Sequence, residues 1–172
     1  MDKKKKNEQM PLRHSENYFI RVLLNNVQLK DIMVEDVISI GIDEPFSHVA
    51  EKFHEFKIRH LPVVDINKKL TGIITQRDLY RVCPPRKRED GTWFHDKQSL
   101  DNYVLKHVMI KEVETCYPHE PVSKALLLMA DKKYGSVPIV DNEKTLCGIV
   151  TQTDILRIAA KILREGENNN SS

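Results

Sequence analysis

Pro62-Val63-Val64-Asp65, followed after four residues by Leu70-Thr71-Gly72-Ile73-Ile74-Thr75-Gln76-Arg77-Asp78, decides the fold, because the chain carries this stretch twice. Pro138-Ile139-Val140-Asp141 and Leu146-Cys147-Gly148-Ile149-Val150-Thr151-Gln152-Thr153-Asp154 repeat it at an offset of 76 residues. Working outward, Met33 finds Met109 and Glu44-Pro45 finds Glu120-Pro121 at the same offset, with no gap between Leu29/Leu105 and Val82/Ile158. Separate blocks sharing one offset mark a tandem duplication. The repeated unit, Leu29–Val82, is about 54 residues long.

Each copy has the same local reading. Asp36–Ile42 and Glu112–Cys116 alternate as short strands. Pro45 and Pro121 then fall in a helix's first turn, where a missing N–H costs nothing. Phe46, Val49, Phe53 and Phe56 lie on one face of the first such helix, and Val122, Ala125, Leu126 and Met129 on one face of the second. Leu61–Asp65 is a strand ending in the turn sequence Asp65-Ile66-Asn67-Lys68. Leu70–Thr75 is the next strand, and a second helix starts near Asp78. The order is β-α-β-β-α, twice. A unit this small buries too little apolar surface alone, so the two copies are expected to pack together with pseudo-two-fold symmetry as an α/β fold. Residues 13–28, with Phe19, Val22, Leu23 and Val27 at helical spacing, predict an additional N-terminal helix. The expected divisions are a basic tail over 1–12, that helix over 13–28, repeats over 29–82 and 105–160, a loop over 83–104, and a C-terminal tail over 161–172.

Composition narrows the function classes. With 40% hydrophobic and 30% charged residues the chain reads as a soluble domain. No apolar run reaches membrane-spanning length, and no apolar segment follows the N-terminal charges, so a cytoplasmic protein without a secretory signal is expected. Cys83, Cys116 and Cys147 are odd in number and widely spaced, which suits free thiols. The first six residues hold four lysines and one aspartate; from totals of 27 basic and 25 acidic residues, 23 and 24 remain. The body is near neutral, so nucleic-acid binding is not expected. The seven histidines form no metal-ligand pattern, and no nucleophile or Walker motif is present. Neither a metal nor an enzymatic activity is predicted.

The tandem β-α-β-β-α unit, with Pro-Val-Val-Asp and Gly-φ-φ-Thr-x-x-Asp in both copies, resembles the cystathionine-β-synthase-type (CBS) domain pair, also called a Bateman module. The likeness covers Leu29–Val82 and Leu105–Ala160. It implies a regulatory module that binds AMP, ADP, ATP or S-adenosylmethionine in clefts between the repeats, works as a flat homodimer and signals to a protein effector in trans. Carried over by position, one cleft joins Thr151, Thr153 and Asp154 with Glu44, Val49, Ile58, Arg59 and His60. The other joins Thr75, Arg77 and Asp78 with Glu120, Ala125, Tyr134, Gly135 and Ser136. An aspartate presents acceptors to a ribose diol, and a threonine hydroxyl reaches ribose or phosphate oxygens. Arg59, His60 and Arg77 are the phosphate candidates.

Plainer readings stand beside these. Asp78 and Asp154 fit a helix N-cap or a first-turn acid, and Arg59 and His60 fit solvated cations at a helix end. The 83–104 loop, with Trp93 beside Phe94, fits a flap, a partner contact or an aromatic anchor. The whole chain also fits a ligand-free interaction module.

Overall fold

A computed structural model of the chain describes Arg21 and residues 24–169. The first repeat runs through β1 (Ile40–Gly41), α1 (Ser47–Glu55), β2 (His60–Val64), β3 (Leu70–Thr75) and α2 (Gln76–Val82). A linking segment follows, with β4 (Arg86–Lys87), β5 (Trp93–Phe94) and α3 (Lys97–Asp101). The second repeat contains α4 (Leu105–Val108), α5 (Val122–Asp131), β6 (Ser136–Val140), β7 (Leu146–Thr151) and α6 (Gln152–Asn169). β1 pairs with β2 in parallel and β2 with β3 in antiparallel; β6 and β7 repeat the hairpin.

The hairpin turns show why the repeated Asp matters. Asp65 Oδ1 accepts hydrogen bonds from the amides of Asn67 at 2.9 Å and Lys69 at 2.8 Å. Asp141 Oδ1 does the same for Glu143 at 2.9 Å and Thr145 at 2.8 Å. This Asx geometry lets Lys68 and Lys144 adopt φ of 61° and 67°, and the pairing register shifts at Val63/Val64 and Ile139/Val140 as the chain reverses.

Two cores form, and each borrows from the opposite repeat. The first gathers Ile40, Phe46, Val49, Phe53, Leu61, Val63 and Ile74 with Leu105 and Met109. The second gathers Cys116, Val122, Ala125, Met129, Val137, Ile139 and Val150 with Leu29. The segments leading into the repeats are therefore exchanged. Backbone pairing follows the exchange: Val34 and Ile149 bond reciprocally at 2.9 and 3.0 Å, and Ile110 and Ile73 at 2.9 Å each way. Leu70 N–H donates to the Lys144 carbonyl at 2.9 Å and Leu146 N–H to that of Lys68 at 3.1 Å, joining the hairpins across the pseudo-dyad. Fully burying Leu29 and Leu105 stabilises the pair by about 2 kcal/mol each. These side chains tie the halves together.

Several expectations need correction. The strand expected over Asp36–Ile42 is only Ile40–Gly41, and that over Glu112–Cys116 is a single parallel bridge from Cys116 to Ile139. At one end the chain has already been taken by the opposite repeat; at the other, Glu44 and Glu120 draw it into a turn. Pro121 is the N-cap of α5 and Pro45 precedes the N-cap Phe46, so both stand just ahead of the first turn. α6 continues to Asn169, well past the expected tail start at residue 161, because no proline interrupts it and its one glycine, Gly166, falls only in the last turn. Of the N-terminal helix, Arg21 and residues 24–26 are helical, and Leu24 and Val27 pack on the second core. Phe19, Val22, Leu23 and the 1–12 tail lie outside the described residues.

In the linking segment Lys87 lies over the Trp93 ring at 6.0 Å and Arg88 over Phe94 at 4.6 Å. Trp93 itself is 66% exposed; the anchor into the first core is Leu100. α3 is tied further by Asp101 Oδ1, which accepts the Ser47 amide at 2.9 Å.

Candidate functional site

Each Thr-x-x-Asp sits where a strand becomes a helix. Thr75 is the N-cap of α2, and its hydroxyl donates to Asp78 Oδ2 at 2.6 Å. The Thr75 amide donates to the same oxygen at 3.1 Å, and the Asp78 amide returns a bond to Thr75 Oγ1 at 3.3 Å. Thr151 and Asp154 repeat these contacts at 2.6, 3.0 and 3.3 Å. Asp78 and Asp154 are thus first-turn acids, with the threonines rather than the aspartates at the cap. This leaves the second carboxylate oxygen to be accounted for. Asp78 Oδ1 faces Arg81 at 3.3 Å and Asp154 Oδ1 faces Arg157 at 3.1 Å. A carboxylate offers about four acceptor positions, so each Oδ1 keeps one for an incoming hydroxyl. Asp78 is only 6% exposed, held rigid by its cap.

Strand pairing decides what stands next to these loops. His60 is directly opposite Thr75, and Ser136 opposite Thr151. The Gln76 amide donates to the Arg59 carbonyl at 3.0 Å, and the Gln152 amide to that of Gly135 at 3.1 Å. Gln152 Nε2 adds a bond to the Tyr134 carbonyl at 3.1 Å. Segment 58–60 therefore lies first beside the loop of its own repeat, as does segment 134–136. The contact that crosses the pseudo-dyad is the His60 imidazole, which rests on Gly135 where any β-carbon would collide with it. Through that contact Arg59, His60, Thr75, Arg77 and Asp78 become continuous with Tyr134, Gly135, Ser136 and the Thr151 loop. Arg59 and Arg77 are exposed at the edge of this line, and Thr153 takes the place of Arg77 in the second repeat. Ser136 is buried, and its hydroxyl has no partner among the described residues.

Other expected site residues have different duties. Val49 and Ala125 are 0% exposed inside the two cores. Ile58 packs against the first core. Glu44 binds the Gly41 amide at 2.8 Å and His48 at 3.0 Å. Glu120 binds the Tyr117 amide at 2.9 Å and Lys124 at 2.6 Å. Burial raises the proton affinity of these carboxyls, yet their hydrogen-bond donors and cations outweigh it, and both titrate below the usual range. They are turn clamps. Gln76/Gln152 and Arg81/Arg157 were not singled out by the sequence reading, although each pair is identical at the 76-residue offset.

Burial, and then the charge of Arg59, lower the pKa of His60 below its ordinary value near 6.5. An imidazole that is harder to protonate folded than unfolded contributes stability above pH 6.5 and loses it as pH falls from there toward the lowered folded value. The melting temperature is accordingly expected to drop on acidification below about pH 6.5, with a shallower slope in His60→Gln. Calorimetry across pH checks it; an unchanged slope would show that His60 is not the titrating group.

Residues 29–84 and 105–161 each match the CBS domain family. A homoserine O-acetyltransferase of Methanohalobium evestigatum is 30% identical over 142 residues, covering 83% of this chain but only 26% of the relative's length. A CBS domain-containing protein of Dictyostelium discoideum is 29% identical over 141 residues, covering 80% of this chain and 94% of its own. Among solved structures, the CBS domain pair of protein MJ0100, in complex with 5′-methylthioadenosine and S-adenosyl-L-methionine, superimposes with a TM-score of 0.65 at 27% identity over 78% of this chain and 97% of that one. With both repeats matched and the pair fold shared, the chain belongs to the CBS domain family.

Proposed function

We propose that the chain is a regulatory module that binds an adenosyl ligand, an adenine nucleotide (AMP, ADP or ATP) or S-adenosylmethionine, between its two repeats. The observation that carries this is the paired Thr–Asp loop: each aspartate is pinned by one oxygen and keeps an acceptor position on the other beside its arginine, and among the described residues the buried Ser136 hydroxyl has no partner. Rigid acceptors of this kind suit a ribose diol, and an unsatisfied buried hydroxyl suits a polar edge of the base. The likeness to MJ0100, solved with 5′-methylthioadenosine and S-adenosyl-L-methionine, supports the same ligand class.

The two loops differ in charge. Arg59 and Arg77 flank the first, so a phosphorylated ligand is assigned there, while Tyr134 and Thr153 flank the second and suit an uncharged tail. A ligand touching both repeats favours one arrangement of them, and it shifts that arrangement only by its differential affinity. Output through a homodimer and a protein effector in the cytoplasm completes the proposal. Binding, not catalysis, is the activity assigned to this pair.

Thermal unfolding with AMP, ADP, ATP and S-adenosylmethionine tests the reading. A ligand at 100 times its dissociation constant adds about 2.7 kcal/mol. No shift with any of them at millimolar concentration would leave the second reading, an interaction module built around the exposed Trp93.

A further inference from the structure

The segment linking the repeats is held unevenly. Its later half is tied firmly to the first repeat: Leu100 enters the core and Asp101 accepts the Ser47 amide. Lys97 pairs with Glu51 at 3.2 Å, and the Tyr103 hydroxyl donates to the Val82 carbonyl at 2.7 Å. Its earlier half is the β4–β5 hairpin, where Arg86, Lys87, Arg88 and Trp93 are all exposed. Between the halves stands His95. Its ring stacks on Tyr80 of α2, with centroids 5.7 Å apart and planes inclined by 20°.

The state of that ring matters because of one atom. His95 Nδ1 is buried and has no hydrogen-bond partner among the described residues. A neutral imidazole can leave a lone pair there, whereas the protonated ring carries N–H at both nitrogens. A buried donor with no acceptor shifts a local equilibrium by about 10- to 100-fold. The Tyr80 ring attracts a cation, but it is 44% exposed and this attraction is the weaker effect.

The surroundings offer no counter-charge. From α2 His95 faces the Tyr80 phenol, with Cys83 at that helix's end. Asp96 turns its carboxylate into the cap of α3, accepting the Ser99 amide at 3.1 Å, and draws on the charge of Arg86. Arg88 lies over Phe94, and Lys97 is taken by Glu51. Asp90 is bound to Thr92 in the hairpin turn, next to Glu89. Burial accordingly lowers the pKa of His95, against a smaller opposing pull from the Cys83 backbone. A ring harder to protonate docked than free favours docking above about pH 6.5 and loosens it as pH falls from there. At the 76-residue offset Tyr80 matches Leu156 and His95 matches Phe19, so the duplication carries this ionisable pair once.

We propose that His95 is an acid-sensitive latch: neutral, it holds the β4–β5 hairpin on α2 through Tyr80, and on protonation it releases the hairpin together with Trp93. The latch is independent of the adenosyl reading. Its test follows the full chain by NMR and fluorescence from about pH 7.5 to about pH 5.5. The His95 ring is expected to titrate below its ordinary value near 6.5. Cross-peaks between the His95 and Tyr80 rings should fade with the same midpoint, the ratio of docked to free hairpin falling by about tenfold or more. Trp93, the one tryptophan of the chain, should lose fluorescence anisotropy in step. His95→Phe keeps a ring on Tyr80 without a titrating nitrogen and should hold the anisotropy flat, while His60→Gln should leave the response in place. The proposal is overturned if His95 titrates at or above about 6.5, if the cross-peaks and anisotropy stay constant through its titration, or if the change survives in His95→Phe. Should that variant not fold, the titration of the unaltered chain decides by itself.

Discussion

Gly72→Ala is expected to destabilise the protein by about 3 kcal/mol, whereas Gly148→Ala, at the equivalent position, should cost about 1 kcal/mol. A β-carbon on Gly72 would stand 2.6 Å from Met109 Sδ and 2.8 Å from the Ile110 carbonyl oxygen. The thioether can swing aside. The carbonyl cannot, because it accepts the Ile73 amide at 2.9 Å and belongs to the exchanged segment that closes the first core. At Gly148 the encroaching atoms are Met33 Sδ at 2.5 Å and Met33 Cγ at 2.9 Å, both in one flexible side chain. The reduced entropy of the unfolded alanine chain offsets part of each cost, by about 0.4–1 kcal/mol. Denaturant unfolding of the two variants checks this. Equal losses would mean that the backbone crossing at Ile110 is not the rigid element.

Asp78→Ala should remove about 100-fold of the affinity for a phosphorylated adenosyl ligand, while Asp154→Ala leaves that ligand's binding largely intact. A hydrogen bond to a charged acceptor contributes about 1.5–3 kcal/mol, the upper part of which corresponds to that factor. Loss of the cap adds about 1 kcal/mol of general destabilisation to either variant, so affinity must be measured where both are folded. Thr75→Ala is the companion: it removes the 2.6 Å bond that fixes the carboxylate but spares the acceptor, and should weaken binding less. Binding unaffected by both aspartate variants would refute the assignment of the ribose loops.

The repeat, the element order and the Asx turns were legible because each rests on local chemistry carried twice: Asp65 and Asp141 turn the chain, and Thr75 and Thr151 cap the helices. The exchange of leading segments was not. Leu29 and Leu105 carry the same pattern whichever core receives them, and only the distance the chain can travel between repeats decides. The strand lengths failed for the same reason, since Val34 and Ile110 pair outside their own repeats. The candidate site was legible by residue type rather than by neighbour. Thr75, Asp78, Thr151 and Asp154 stand as paired loops, but β2–β3 pairing put Arg59 and His60 beside Thr75 before anything from the second repeat could reach them. Val49 and Ala125 went to the cores because apolar helix positions facing a sheet are buried there first. Arg81 and Arg157 escaped notice because an arginine one turn into a helix is ordinary unless its counterpart is checked.

Equilibrium dialysis of the purified protein against AMP, ADP, ATP, 5′-methylthioadenosine and S-adenosylmethionine tests the ligand assignment most directly. Saturable retention of at least one of them, abolished when Asp78 and Asp154 are both replaced by alanine in a variant that still folds, is the predicted result. No retention of any of the five at millimolar concentration, or retention that survives the double replacement, would contradict it.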